Sequence, residues 1–479
     1  MWNPRLLLTA IALPIFQVQA SVPWDGLLNE SGGNRVFFGS VLEGADPFER
    51  EADTALAPAS VTKIFTAASA LDFLGPDFRF PTTLSWREVT AGDPARITDL
   101  TITGHGDPTF GMSEHGEDYR SRFNRYIDLL AELGVKEVIG PATTRSDDPR
   151  WEVVRFPEGW LEEDHIECFG SQAQAFNIQI NCGTFVLKSP TQFGWSEEGV
   201  PTNVTVDVKW GSATELEVIP LHSDQIQSVG YEIRGTLNRT RGRESVVLYL
   251  AVHEARKWAE NIFRLQLTRS QKIAYKPTLA FPDASGSPQS LEVLSPPLSE
   301  ILVPFLKKSL NQNGDALFKF LGRQWGSGSE ADLIAAGKVI SAEYFQKISV
   351  APVTFHDGSG VSQTNSVTPR AVMALLHYFQ TWPAAQFAHL WRALPIAGVD
   401  GTLERRMKGT AAHGRLRAKT GTLTGVNNLA GFVPPLGYGG DPSKLFPFVI
   451  ISRGSKTDGP TARAAIDRVG AKFSQLNDY

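Results

Sequence analysis

Residues Pro58 to Pro76 read PASVTKIFTAASALDFLGP. Its apolar residues recur at helical spacing from Ile64 onward, and the closing Gly-Pro pair is a helix stop signal. Because Ser60 and Lys63 are three positions apart, a helix places them on one face. A desolvated lysine can lose its proton near neutral pH and activate a serine hydroxyl as a nucleophile. Taken alone, the pair is better interpreted as a surface serine and a surface lysine.

Two further short patterns gain meaning only from their order along the chain. Ser309-Leu310-Asn311 follows an apolar helical run, and its hydroxyl and amide could relay a proton and hold a substrate carbonyl. Lys419-Thr420-Gly421-Thr422 is typical of an edge strand whose lysine and hydroxyl groups hold a substrate carboxylate. Taken singly, the first pattern carries no information, and the second favours an exposed strand with a solvated lysine.

The composition indicates a globular protein of two or three domains. The chain has 479 residues, of which 42% are hydrophobic and 20% charged. A formal net charge of −5 and the lack of a basic stretch with interleaved aromatics argue against a nucleic-acid partner. Neither His-Glu-x-x-His nor paired Cys-x-x-Cys motifs occur, so we expect no metal and no cofactor.

The first twenty residues are typical of a secretory signal peptide. Arg5 precedes an apolar run from Leu6 to Phe16, and Val18-Gln19-Ala20 has the small-residue spacing of a cleavage site. A short membrane anchor is the alternative, but this run is too short to span a bilayer. The sequence therefore predicts export and no transmembrane anchor.

Cys168 and Cys182 are the two cysteines of the chain. In an exported protein, two cysteines this close can form one disulfide, and two buried thiols are the alternative; export favours the disulfide between Cys168 and Cys182.

Secondary-structure patterns divide the rest of the chain. Helical spacing predicts helices over 119–133 and over 461–473, and strand-like segments extend from 184 to 253. An interfacial membrane helix is the alternative for 461–473. Residues 281–298 are rich in Pro, Ser and Gly, which marks a boundary or crossing segment.

Read in order, Ser-x-x-Lys, Ser-x-Asn and Lys-Thr-Gly are the three motifs of penicillin-recognising enzymes with an active-site serine. With them, the chain resembles the D-alanyl-D-alanine carboxypeptidase/endopeptidase family, the class C low-molecular-mass penicillin-binding proteins (serine peptidase family S13). Lys63 and Ser309 are 246 positions apart, a separation that the family fills with inserted domains. Further segments match the family: Leu74–Phe80, Gly104–Pro108, Asp357–Ser362, Ala397–Leu403 and Asn428–Phe432.

The resemblance implies an α/β (α+β) fold, in which a penicillin-binding or β-lactamase-like domain has an antiparallel sheet flanked by helices. It also implies two nested inserted domains. After a signal peptide over 1–20, we expect a catalytic domain built from 21–76 and 281–479. One inserted domain would comprise 77–95 and 170–280, and the other 96–169. Export then means a periplasmic location, with loose membrane association as a further option.

The resemblance also implies a serine DD-carboxypeptidase/DD-endopeptidase that acts on peptidoglycan stem peptides and cross-links and is acylated by β-lactams. Ser60 would be the nucleophile, Lys63 its base, Ser309 the proton relay and Asn311 the group that holds the substrate amide. Lys419 and Thr420 would bind the substrate carboxylate, and Gly421 would leave room for the ligand. The N–H groups of Ser60 and Thr422 would form the oxyanion hole.

Other functional classes are weaker. A catalytically inactive peptidoglycan-binding module of the same fold is the main alternative. A β-lactamase would need a deacylating glutamate segment that is not recognisable here. A Ser-His-Asp triad is a poor candidate, because Asp357 has only His356 near it in sequence.

Substrate specificity is expected to depend on Asp164, Phe169 and Gln363. In the family, an aspartate just before a Cys-Phe pair binds the amine of the substrate's diamino acid, and Asp164 and Phe169 match that pattern. The family uses an arginine where this sequence has Gln363, so we expect weakened carboxylate recognition. Alternatively, Arg370 supplies the missing charge.

Overall fold

The structure is a computed structural model that describes residues 49–153, 156–221, 230–238, 245–278, 282–350, 352–453 and 459–476. The predicted signal peptide lies outside the described residues, as do residues 21–48 of the predicted catalytic domain. Within the part of the chain that is described, no helix is long and apolar enough to cross a membrane.

The helices are numbered in chain order. They are α1 (Thr62–Leu74), α2 (Ser121–Glu132), α3 (Ala255–Arg269), α4 (Leu298–Lys307), α5 (Asn311–Trp325), α6 (Leu333–Lys347), α7 (Pro369–Gln380), α8 (Ala384–Ala393) and α9 (Gly459–Leu476).

The strands are numbered in the same way. They are β1 (Pro81–Thr90), β2 (Asp93–Gly104), β3 (Glu137–Ile139), β4 (Thr143–Ser146), β5 (Cys182–Ser189), β6 (Gln192–Trp195), β7 (Asn203–Gly211), β8 (Glu215–Leu221), β9 (Gly230–Asn238), β10 (Val246–Ala251), β11 (Ala274–Lys276), β12 (Pro288–Leu294), β13 (Val353–Thr354), β14 (Ser366–Val367), β15 (Arg417–Leu423), β16 (Val426–Val433) and β17 (Phe446–Arg453).

The C-terminal part of the chain forms an antiparallel sheet with strand order β15-β16-β17. Every residue of β16 is buried, as expected for a central strand that is covered on both faces. One face packs against α9 through Ile466, Val469 and Phe473, and residues such as Phe432 and Ile451 on the other face join the main core. Each such side chain contributes about 1.5–3 kcal/mol by burial. The 461–473 helix therefore packs on its own sheet.

Helix α1 passes through the main core and carries the Ser-x-x-Lys segment. Its residues from Thr62 to Leu71 are buried, which explains why the segment is apolar on nearly all sides. The helix ends at Gly75, whose φ of 81° is a left-handed conformation that suits glycine.

Among the described residues, the middle of the chain forms three further sheets. The first sheet has the strand order β11-β3-β2-β1-β12, with β4 beside β2. The second sheet has the order β10-β5-β6, and the third has the order β7-β9-β8. Since β12 pairs with β1 along Pro81–Arg87, the segment 288–294 lies in the same sheet as the inserted region. The proposed boundary at 95/96 also falls within β2. We propose that the return to the catalytic domain comes after Leu294 and that β2 stays with β1.

Candidate active site

Ser60 lies in a single 3-10 turn, Ala59–Val61, that leads directly into α1. Lys63 lies in the first turn of the helix, and its Nζ is 2.9 Å from Ser60 Oγ. Ala59 has a φ of 47°, and its carbonyl is so close to Gly360 that any side chain at 360 would overlap it. The turn that presents Ser60 is thus fixed from outside the helix.

The Lys63 ammonium is fully buried and has three acceptors. Besides Ser60 Oγ, it donates to Asn311 Oδ1 at 2.7 Å and to the Ser359 carbonyl at 2.5 Å. Burial lowers the pKa of Lys63 to about 8, although the nearby Asp315 and Asp357 carboxylates oppose this shift. An amine with such a pKa can act as a base at the pH of a cell wall.

The Ser-x-Asn motif lies between Lys63 and the Lys-Thr-Gly strand and is hydrogen-bonded to both. Ser309 has a φ of 61°, a strained conformation for serine, and Asn311 is the first residue of α5. Lys419 donates to Ser309 Oγ at 2.8 Å and to the Thr420 carbonyl at 2.9 Å. Asn311 also donates through Nδ2 to the Phe169 carbonyl at 2.9 Å.

Strand β15 lies directly beside the nucleophile turn. A Cβ on Gly421 would be 2.7 Å from the Pro58 carbonyl, so the strand can approach this closely only with glycine there. Thr420 donates to Thr402 Oγ1 at 2.8 Å, and Thr422 follows as an exposed residue of the strand. Burial, and then the charges of Lys63 and Arg406, hold the pKa of Lys419 well below its usual range.

A charged cluster behind the site was missed at the sequence level. Asp315 and Lys319 are buried on α5, one and two turns beyond Asn311 on the same face. Burial and the neighbouring Asp357 raise the pKa of Asp315, and burial lowers the pKa of Lys319. The sequence does contain a pattern that predicts this cluster. Asn311, Asp315 and Lys319 are four positions apart, so one helix places all three polar groups on the same, core-facing side.

Asp357 binds its own loop and a second segment. Its carboxylate accepts from Gly360 N at 2.7 Å, Ser362 N at 2.6 Å and Asn365 Nδ2 at 2.7 Å. Its Oδ2 also accepts from Trp160 Nε1 at 2.8 Å, which ties the loop that contains Asp164 to the loop that contains Ser359. Asp357 therefore organises the loop that supplies an acceptor for Lys63.

The predicted specificity residues lie near this junction, on the turns Glu162–His165 and Cys168–Gly170 and on the loop that follows Ser362. Asp164 is half-buried and accepts from Leu161 N, and burial is the main cause that raises the pKa of its carboxyl. The Phe169 side chain is 48% exposed. Gln363 is exposed, and its backbone N–H donates to the Gly159 carbonyl at 3.0 Å. Arg370 instead pairs with Glu49 and Asp53.

Cys168 and Cys182 form a disulfide, with their Cα atoms 5.1 Å apart, as predicted. The bond links the start of β5 to the 3-10 turn Cys168–Gly170, whose Phe169 carbonyl binds Asn311. In the described ranges, no group of three or more His, Cys, Asp or Glu residues is arranged to hold a metal ion.

The chain is similar in sequence to known proteins. The sequence model of the D-Ala-D-Ala carboxypeptidase 3 (S13) family matches residues 34–473. The chain is 30% identical to a D-alanyl-D-alanine carboxypeptidase of Actinomadura sp. (strain R39) over 90% of this chain and 79% of that protein. It is 29% identical to D-alanyl-D-alanine carboxypeptidase DacB of Haemophilus influenzae over 79% of this chain and 78% of that protein.

The fold is also that of a solved structure. Penicillin binding protein 4 (DacB) from Haemophilus influenzae superposes with a TM-score of 0.76 over 96% of this chain and 100% of the other, at 23% identity. The same protein has been solved in complex with a novel β-lactam, with a TM-score of 0.71 and 24% identity. The α/β fold expected from the sequence, with sheets flanked by helices, is confirmed, and the chain belongs to the D-Ala-D-Ala carboxypeptidase 3 (S13) family.

Proposed function

We propose that this chain is a serine DD-carboxypeptidase and DD-endopeptidase that acts on peptidoglycan stem peptides and cross-links through a Ser60 acyl-enzyme. One observation carries the proposal: the Lys63 amine lies 2.9 Å from Ser60 Oγ in a fully buried site that disfavours its charged form. The names of the relatives supply the substrate class, since two of them are D-alanyl-D-alanine carboxypeptidases.

In the acylation step, Ser60 Oγ attacks the carbonyl carbon that precedes the terminal D-residue, and its proton passes to neutral Lys63. The backbone N–H groups of Ser60 and Thr422 stabilise the oxyanion. The C–N bond then breaks, and the leaving amine takes a proton through Ser309. Asn311 holds the substrate amide, and Lys419 and Thr420 bind the terminal carboxylate.

Deacylation reverses the proton transfers. A water molecule takes the place of the departed amine, loses a proton to Lys63 and attacks the ester carbonyl carbon. The ester C–O bond then breaks, and Lys63 returns the proton to Ser60 Oγ. A β-lactam mimics the substrate in the first step only, because its opened ring stays attached and blocks the position of the water. A stable penicilloyl-enzyme is therefore the expected product.

Intact-protein mass spectrometry with and without benzylpenicillin tests the proposal. We expect a gain of one penicilloyl group, located on a peptide that contains Ser60, and no gain in Ser60→Ala. Ser69→Ala is the matched control, since the Ser69 hydroxyl donates only to carbonyls of its own helix, and it should still be acylated. An unchanged mass of the wild-type protein would favour the inactive peptidoglycan-binding module instead.

The two activities are separated by substrate. A pentapeptide that ends in D-Ala-D-Ala should lose one D-alanine, and a cross-linked muropeptide dimer should be cleaved to monomers. Both reactions should stop in Ser60→Ala. Cleavage of the pentapeptide alone would restrict the function to the carboxypeptidase.

We also infer a periplasmic location after export. The disulfide between Cys168 and Cys182 fits an oxidising compartment, where such bonds persist.

A further inference from the structure

A second set of catalytic residue types lies in the inserted region, on the sheet formed by β1, β2 and β4. Thr83 Oγ1 is 3.0 Å from His105 Nε2, and His105 Nδ1 is 2.9 Å from Asp147 Oδ2. With the histidine proton on Nδ1, that side of the ring lies beside the Asp147 carboxylate, and the free lone pair on Nε2 faces the Thr83 hydroxyl. Nucleophile, base and carboxylate thus lie in the order of a catalytic triad, with a hydrogen bond between Thr83 and His105 and an ion-pair distance between His105 and Asp147.

Strand register explains why these residues meet. Thr83 on β1 pairs with Thr103 on β2, and Thr103 pairs with Arg145 on β4, so all three lie on one face of the sheet. His105 and Asp147 follow Thr103 and Arg145 by two positions each, which returns them to that face. The alternate residues Thr82, Leu84 and Ile102 are buried on the opposite face. The fold itself therefore aligns the group.

The group lines an open cavity of about 420 Å³, large enough for a small ligand. Arg145 is at its edge and donates through Nε to Thr103 Oγ1 at 2.9 Å. Thr103 is the neighbour of Thr83 on the adjacent strand, and adjacent strands are about 4.8 Å apart. The Arg145 guanidinium, which is bonded to Thr103, therefore lies about one strand away from the Thr83 hydroxyl. Among the described residues, Arg145 has no carboxylate partner, so its charge is available to a ligand or a developing oxyanion.

Asp147 is held in place from the other side. Its side chain is only 6% exposed, and Arg323 of α5 pairs with the same Oδ2 atom that faces His105. This second ion pair fixes the carboxylate, and His105 is itself 18% exposed, which leaves the ring accessible from the cavity. The three residues are therefore both ordered and reachable.

We propose that Thr83, His105 and Asp147 form a second nucleophilic centre that hydrolyses small acyl esters, separate from the Ser60 site. Thr83 Oγ attacks the ester carbonyl carbon, and its proton passes to His105 Nε2. The C–O bond to the alcohol then breaks, and His105 returns the proton to that alcohol. Water hydrolyses the acyl-threonine by the same path and regenerates the hydroxyl.

The chemistry favours esters over amides. A secondary hydroxyl is a weak nucleophile, and a single guanidinium is a weaker oxyanion site than paired backbone N–H groups. An alkoxide or phenolate leaves more readily than an amine, so an ester is within reach of this centre. The proposal does not depend on the function proposed for Ser60.

The test uses the full chain with Ser60→Ala, and the probe is p-nitrophenyl acetate. We expect hydrolysis above the rate in buffer, together with an acetyl adduct on the peptide that contains Thr83. Thr83→Val and His105→Gln, each added to Ser60→Ala, should reduce the rate by about 10²-fold. Thr101→Val is the matched control, because Thr101 lies on the same face but bonds to Thr143 Oγ1 instead of a histidine, and it should keep the rate.

Thermal melting of each variant separates loss of activity from loss of fold. Equal rates for Ser60→Ala with and without Thr83→Val would overturn the proposal. So would an unchanged rate in a folded His105→Gln variant, or an acetyl group found only on other residues.

Discussion

The Lys63 amine is fully buried and surrounded by three acceptors, which a larger guanidinium would have to displace. We predict that Lys63→Arg loses nearly as much activity as Lys63→Ala, since a guanidinium stays protonated and cannot accept the Ser60 proton. Loss of a general base should slow acylation by about 10²–10⁴-fold. The measurement is the rate of penicilloyl-enzyme formation, followed by mass spectrometry.

Lys308→Arg is the control for this substitution. Lys308 is an exposed lysine that pairs with Glu114, and the change should leave the rate of acylation unaltered. Near-normal acylation of Lys63→Arg would refute the role of Lys63 as the base.

Acylation should also depend on pH through Lys63. A base must be unprotonated to accept a proton, so the rate should rise as the pH increases through about 8. The negative charge of Asp315 favours protonated Lys63, and Asp315→Asn removes that charge. We therefore predict that the rising limb of the acylation profile moves to lower pH in Asp315→Asn. Exposed Asp77→Asn should leave the profile unchanged, and a limb that stays in place or moves to higher pH in Asp315→Asn would contradict the prediction.

At the residue scale, the sequence predicted those active-site residues that belong to known motifs and did not predict the others. Ser60, Lys63, Ser309 and Lys419 could be named because their order matches a known family, and the structure joins them in two hydrogen-bonded pairs, Ser60 with Lys63 and Ser309 with Lys419. Their catalytic roles stay predictions. The contact between Lys63 and the Ser359 carbonyl could not be named in advance, since a backbone acceptor leaves no trace in residue type.

At the scale of elements, the disulfide joins the 3-10 turn Cys168–Gly170 to the start of β5. It closes a loop of sequence separation 14, and the chain-entropy account gives a stabilisation of about 3 kcal/mol. We predict that the double variant Cys168→Ser/Cys182→Ser loses about that much free energy of unfolding, measured by urea denaturation. Acylation should also slow, because the turn that positions the Phe169 carbonyl against Asn311 is released. An unchanged unfolding midpoint would show that β5 and the turn are held by other contacts.

Helices and strands were predictable where periodicity was strong. The helix expected over 119–133 is α2, Ser121–Glu132, and the one expected over 461–473 lies within α9. The nucleophile segment differs, because it opens with a 3-10 turn in which Ala59 is left-handed. That conformation depends on Gly360 and β15, both distant in sequence, so no local pattern could reveal it.

At the scale of the whole molecule, the inserted region helps to build the site. Trp160 donates to Asp357, Asn311 donates to the Phe169 carbonyl, and Lys319 donates to the Ala173 carbonyl at 2.7 Å. Helix α5 is thus hydrogen-bonded to the inserted region at Asn311 and again at Lys319, two turns further along. Such packing cannot be derived from motif spacing, which indicates only that an insertion exists. The division into three parts stays a prediction.

Substrate specificity is expected to depend on residues from two parts of the molecule. Asp164 comes from the inserted region, and Gln363 comes from the loop that Asp357 organises. Asp164 should bind the amine of the substrate's diamino acid, whereas Gln363 offers a hydrogen bond without charge. Arg370 is already engaged by Glu49 and Asp53, which argues against its replacing the missing arginine. We therefore expect that amine recognition is retained and carboxylate recognition is weak.

Paired D-Ala-D-Ala peptides, whose diamino side chain ends in an amine alone or in an amine plus a carboxylate, test this expectation through kcat/KM. The wild-type protein should discriminate between them by less than about tenfold, or about 1.4 kcal/mol. Asp164→Asn should lower kcat/KM for both, and Gln363→Arg should raise it by about tenfold for the carboxylate-bearing peptide alone, because a guanidinium can bind that group with two hydrogen bonds. Arg370→Gln is the control and should leave the ratio unaltered. A strong wild-type preference for the carboxylate-bearing peptide that disappears in Arg370→Gln would show that Arg370 compensates for Gln363 after all.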